Sequence, residues 1–133
     1  MKHADIHIEV RPLARLLRAL GDETRLRIVA LLSHGELCVC HIQAALGLSQ
    51  PNTSRQLGVL RAAGVVDSRR EGGWAYYRLA EQTDEECERH LSALTEAFAR
   101  HRMALALLLT LPPPVPPPPV PPVVVVVEPL LVA

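Results

Sequence analysis

Cys38 and Cys40 stand two apart in the run Glu36-Leu37-Cys38-Val39-Cys40, and they are two of only three cysteines in the chain. A thiolate is a nucleophile and a soft ligand, so a close pair can grip a thiophilic ion or exchange electrons. On a regular helix residues two apart point about 200° away from each other, which separates the sulfurs. They converge at a loop or an irregular helix start, and Gly35-Glu36-Leu37 just before them supplies such a place. A helix N-terminus there is expected to lower a thiol pKa and favour the ligand form. Two cysteines with few hard ligands nearby do not make a closed tetrahedral zinc site. The bland reading is that both are small buried hydrophobes, as free cysteines often are.

The second chemical feature is the polar run Ser49, Gln50, Asn52, Thr53, Ser54, Arg55 and Gln56. Gln, Asn and Arg can pair bidentately with base edges in the major groove of double-stranded DNA. Ser and Thr, with the free N–H groups of a helix start, can hold phosphate. The whole chain is neutral, with 14 Lys+Arg against 14 Asp+Glu, which removes the usual argument from a basic composition. The neutrality conceals segregation. Residues 49–78 carry five arginines, including Arg55, Arg69 and Arg70, against two acids, for a net +3; residues 81–88 carry five acids and no base. The basic stretch can neutralise phosphates.

These groups need elements to position them. Val10, Leu13, Leu17 and Leu20 recur at helical spacing, and Gly21 ends that stripe. Asp22-Glu23 puts acid at the next helix start, and Leu26, Val29 and Leu32 form its stripe, closed by His34-Gly35. A short segment over 39–46 ends at Gly47. Ser49 then reads as an N-cap with Pro51 in the first turn of a helix that stops at Gly64. The period switches to two strands, Val65 to Arg70 and Trp74 to Leu79, with a Gly72-Gly73 hairpin between them. The aromatics of the second strand read as one core-facing and one partly exposed side. The last element is a helix of about 25 residues, with Cys87, Leu91, Leu94, Phe98, His101, Leu105 and Leu108 spaced as a heptad seam. The expected fold is mainly α with a β-hairpin wing: a winged helix-turn-helix over 1–111, dimerising through its first and last helices.

Nine of the 12 prolines fall within 112–122, and five valines follow at 123–127. Proline this dense favours extended polyproline II, so 112–133 is expected to be a low-complexity appendage, disordered or extended. Its apolar end is too short to cross a bilayer as a helix, and no membrane partner is expected. Asp5 and Glu9 break any apolar run near the start, so a secretory signal is not expected, and an odd cysteine count argues against a disulfide framework. A cytoplasmic protein with reduced thiols is expected.

Four blocks carry a family resemblance: Leu20-Gly-Asp-Glu-Thr-Arg-Leu-Arg-Ile28, Glu36 to Cys40, Leu48-Ser-Gln-Pro-Asn-Thr-Ser-Arg-Gln-Leu57 and Trp74-Ala-Tyr-Tyr-Arg-Leu79. In order and content they resemble the ArsR/SmtB metal-responsive repressors, and Glu-Leu-Cys-Val-Cys resembles their arsenic-responsive branch. The resemblance implies a homodimeric repressor that binds an inverted-repeat operator and leaves it when As(III) or Sb(III) binds Cys38 and Cys40. It also implies DNA contacts from Ser49 to Gln56 and from Arg69 and Arg70 in the wing. Some arsenic sensors carry a third cysteine three residues after the second, but Gln43 stands there, and Cys87 is the sole cysteine left to serve. The N-terminal arm offers His3 and His7 where cadmium and lead sensors use cysteine. Glu88, His90 and His101 match two spacings of the zinc-sensing branch, with Ala104 in the fourth place. An oxidisable thiol pair on the same fold is the alternative signal. An enzyme is not expected, since neither a βαβ unit with Cys-x-x-Cys nor a triad or phosphate loop appears.

Overall fold

The computed structural model of the protein describes residues 9–101. Within them the order is α1 (Arg11–Leu20), α2 (Glu23–Leu32), β1 (Leu37–Cys38), α3 (Val39–Leu46), α4 (Gln50–Ala62), β2 (Val66–Glu71), β3 (Trp74–Leu79) and α5 (Glu85–Ala99). Local chemistry sets most of the ends. Asp22 caps α2 by accepting from Arg25 N–H at 3.0 Å, Ser49 caps α4 by accepting from Asn52 N–H at 3.3 Å, and Asp84 caps α5 by accepting from Cys87 N–H at 2.9 Å. Gly47 ends α3 at φ +63°, a left-handed turn that an L side chain resists. Gly72 and Gly73, at φ +58° and +86°, make the tight hairpin between β2 and β3.

The sheet runs β1-β3-β2, all antiparallel. β1 was not legible as a strand, because two residues show no period. It pairs Leu37 with Tyr77 and Cys38 with Tyr76 on β3, while β2 pairs Ser68 with Tyr77 and Arg69 with Tyr76 from the other side. Directly opposed residues share a face. One face, with Leu37, Val66, Tyr77 and Leu79, packs on the core formed by Leu16, Ile28, Val29, Leu57, Leu60 and Leu91. The other carries Cys38, Tyr76 and Arg69 in one row. Each fully buried Ile28, Leu57 or Leu60 contributes about 1.5–3 kcal/mol by leaving water.

The expected stripe on α1 needs correction. The buried side chains are Leu16, Ala19 and Leu20, whereas Val10 and Leu17 stay 54% and 52% exposed. The core lies between α1, α2, α4 and α5, and a helix turned to bury Leu16 leaves Val10 and Leu17 outside. α5 is described to Ala99, so the seam at Leu105 and Leu108, like the segment 112–133 and the arm bearing His3 and His7, lies outside the described residues.

Candidate functional site

α3 and α4, joined by the turn Gly47-Leu48-Ser49, pack on one another, and the β2–β3 hairpin follows. α4 buries Thr53, Leu57 and Leu60. The opposite face therefore presents Gln50, Ser54 and Arg55 to solvent, with Asn52 and Gln56 half-buried at its edge. Thr53 is a correction to the expected DNA-facing set. It is fully buried, and its hydroxyl donates to the Ser49 carbonyl at 2.8 Å, so it ties the helix start together and does not face outward.

The remaining polar groups form a chain of bonds whose directions can be deduced. Arg25 has only donors, so the Gln56 atom it meets at 3.0 Å is the oxygen. Gln56 Nε2 is then left to donate to Asn52 Oδ1 at 3.3 Å, and that oxygen also accepts from Arg55 Nη2 at 2.8 Å. Arg25 further donates to the carbonyls of Ala19 and Arg18 at the end of α1. Its role in fixing α4 went unread in the sequence, although it lies in the quoted Leu20–Ile28 block. The signal available was an Arg in the first turn of α2, where basic residues are disfavoured by the helix dipole and so have another task.

In the wing, Arg69 and Arg70 differ. Arg70 is exposed and makes no ion pair among the described residues. Arg69 Nε donates to both Glu36 carboxylate oxygens at 2.9 and 3.1 Å, Nη1 donates to Glu71, and the guanidinium lies 4.6 Å from the Tyr76 ring centroid. This bonding holds the Glu36 carboxyl below the usual carboxylate range and pushes the Arg69 pKa upward. Arg69 is thus paired with two carboxylates, whereas Arg70 beside it is not.

Cys38 is the N-cap of α3 and Cys40 lies in its first turn. Cys38 Sγ accepts from Cys40 N–H at 3.4 Å, and Cys40 Sγ donates to Cys38 Sγ at 2.7 Å. The convergence arises where an extended residue meets a helix start, so the helical separation of 200° does not apply. Both thiols are free, Cys38 buried and Cys40 partly so. The expected fall in thiol pKa does not occur at Cys40. Burial, then the hydrogen bond with Cys38, push it up to about 11, outweighing the backbone N–H groups of the helix start.

Cys87 stays apart. It packs into the core with Leu16 and Leu91, and burial pushes its thiol up. No group of three or more His, Cys, Asp or Glu side chains able to hold a metal occurs among the described residues, so Cys87 does not join the pair within one chain. The same finding leaves Glu88, His90 and His101 without a zinc site: His90 Nδ1 meets the Glu86 carbonyl at 2.7 Å, and Glu88 bonds Ser92 and Gln82.

A helix-turn-helix followed by a β-hairpin wing, with polar side chains turned out on its second helix, is the architecture of DNA-binding transcription regulators. Residues 22–68 match the family described as "Bacterial regulatory protein, arsR family". The chain is 42% identical over 83 residues to the arsenic resistance transcriptional regulator ArsR1 of Pseudomonas putida, covering 62% of this chain and 65% of that protein. It is 52% identical over 67 residues to the arsenical resistance operon repressor of Escherichia coli, covering 50% of this chain and 57% of the other. It therefore spans less than two thirds of the length of these two relatives. The structure superposes on a homodimeric winged helix-turn-helix domain from Mycobacterium bovis, a possible ArsR-family regulator, with TM-score 0.57 and 31% identity, covering 76% of this chain and 92% of that one. The chain belongs to the ArsR family. No helix among the described residues is long and apolar enough to cross a membrane.

Proposed function

We propose that the chain is a cytoplasmic, metalloid-responsive transcriptional repressor. It binds an inverted-repeat operator in double-stranded DNA as a homodimer and leaves it when As(III) or Sb(III) binds Cys38 and Cys40. One observation carries the reading: two free sulfurs 2.7 Å apart at the start of a helix that packs on the helix presenting Gln50, Ser54 and Arg55. The donor set fits a thiophilic ion, since both ligands are soft and no carboxylate among the described residues joins them. Trivalent arsenic takes three sulfurs, so a solution thiol such as glutathione supplies the third. The names of the two arsenic-resistance relatives agree with this inducer.

On DNA, Ser49 and the α4 helix start hold phosphate, while Gln50, Asn52, Ser54, Arg55 and Gln56 face the major groove and Arg70 reaches the backbone. DNA binding does not need residues 112–133. A second reading is favoured by the thiol contact itself: an oxidant such as a peroxide takes two electrons and two protons from the pair, leaving a Cys38–Cys40 disulfide and water.

The test is operator release. Fluorescence anisotropy of wild type, Cys38→Ser and Cys40→Ser on a duplex enriched from a random pool, with arsenite or peroxide added, separates the two signals. The reading requires both variants to bind the duplex and neither to release it with arsenite. Release of Cys38→Ser at the wild-type arsenite concentration would overturn it.

A further inference from the structure

β1 is two residues long, and it is held to the sheet only through β3, by Leu37 opposite Tyr77 and Cys38 opposite Tyr76. β2 lies on the far side of β3, with Arg69 opposite the same Tyr76. Cys38 and Arg69 therefore sit in one cross-strand row, about two strand spacings or roughly 10 Å apart. No ladder joins β1 to β2. What joins them is a side-chain link: Glu36, next to Leu37, takes Arg69 through two bonds from Nε and one from Nη2, and the guanidinium rests on the Tyr76 ring between them. Glu36 is two residues from Cys38 in extended chain, with only Leu37 between to absorb a displacement.

We propose that Glu36 is a positioning residue of the wing: it holds the Arg69 side chain beside the exposed Arg70 while Cys38 and Cys40 are free, and a ligand that bridges the two sulfurs loosens that hold. The inference rests on the reading of Cys38 and Cys40 as the signal site, and it adds the route by which the wing learns of it. A bridge fixes the separation and direction of the two sulfurs, and Cys38 passes that change on because it is both the end of β1 and the cap of α3. The link is suited to switching. Arg69 and Glu36 side chains are 48% and 28% exposed, and ion pairs this open to water are weak, so a small displacement breaks them. Made and broken states of one ion pair form the two-state element that coupling requires.

Trp74, the single tryptophan, stands opposite Glu71 at the end of the wing and reports on it without DNA. The experiment uses the full chain, arsenite as one probe and mercuric ion as a second that engages paired thiolates whatever the natural signal. In wild type, both probes change Trp74 fluorescence and weaken binding to the enriched duplex, by about 5- to 150-fold if coupling is of ordinary size. In Glu36→Gln, which keeps the shape and loses the charge, thiol occupancy by absorbance is unchanged. Duplex affinity is already reduced without a probe, and the further loss on adding one shrinks to about a third of the wild-type factor or less. The reversed pair Glu36→Arg with Arg69→Glu restores the factor. A merely structural Glu36 would weaken binding equally with and without probe, leaving the factor unchanged, and that result overturns the proposal. So does a Trp74 signal that responds to mercuric ion alike in wild type and Glu36→Gln, or in neither. If arsenite is silent at the thiols while mercuric ion moves Trp74 in wild type alone, the metalloid reading fails and the link stands.

Discussion

Arg25 Nη1 donates to Gln56 Oε1 at 3.0 Å, a bond between α2 and the helix that faces outward with Gln50 and Arg55. The same guanidinium reaches the end of α1 through Ala19 O and Arg18 O, so one half-buried side chain ties three helices. Charge-assisted bonds of this kind are worth more than neutral ones, and removing the donor strands acceptors that water reaches poorly.

Arg25→Ala should therefore lower stability by about 1–3 kcal/mol, read as a fall in the urea midpoint with unchanged slope. Arg25→Lys keeps the charge without the planar fork, and is expected to fall between the two. A midpoint equal to wild type in Arg25→Ala would show that the three-helix tie contributes nothing.

The two exposed arginines should fail differently. Arg55→Ala is expected to cut operator affinity and to relax discrimination against random DNA, by about 1–3 kcal/mol if it reads a base. Arg70→Ala should weaken operator and random duplex alike and reduce the salt slope by about 1. Arg69→Ala is expected to leave that slope nearer the wild-type value than Arg70→Ala does, because Glu36 and Glu71 already neutralise it. Anisotropy titrations at several salt concentrations measure all three.

The alkaline limb of stability should contain Cys40. Its thiol is raised from the ordinary value near 9 to about 11 in the fold, so the folded chain keeps its proton where the unfolded chain has lost it. The stability it lends is whole below about pH 9 and is lost as pH rises toward about 11. Urea midpoints measured from about pH 8 up to about pH 11, the higher of those two values, should decline more in wild type than in Cys40→Ser. Parallel curves would remove the thiol from the account.

Much of this was legible because local chemistry acts alone at element ends. Asp22 and Ser49 announce helix starts, and Gly47 and Gly72-Gly73 announce turns, without help from distant residues. The meeting of Cys38 and Cys40 followed from the same kind of reasoning, since only a break in helical geometry brings them together. What stayed hidden depends on packing across the chain. Which face of α1 turns inward is decided by Ile28 and Leu60, so Leu16 and Leu17 cannot be told apart by spacing. The pairing of Arg69 with Glu36 spans 33 residues and needs β1, a strand too short to show a period. Thr53 reads as polar in sequence, yet its hydroxyl finds the Ser49 carbonyl one turn back and its methyl joins the buried side.

The exposed face of α1 carries the last expectation. Val10 and Leu17 lie two turns apart on one side of the helix, each more than half exposed, while Leu13 between them is half-buried. Apolar side chains aligned this way cost free energy in water unless something covers them. A second copy of the chain is the expected cover, which places the two-fold axis beside α1 and gives the operator its inverted repeat. Leu17→Glu would put two like charges near that axis and should shift the protein from dimer to monomer in light scattering at micromolar concentration. Because Leu17 makes little contact with its own core, the circular dichroism of the variant should stay helical. Operator affinity should fall steeply, since each half-site would then have to be bound alone. A Leu17→Glu protein that remained dimeric and bound the operator as wild type does would move the dimer interface away from α1.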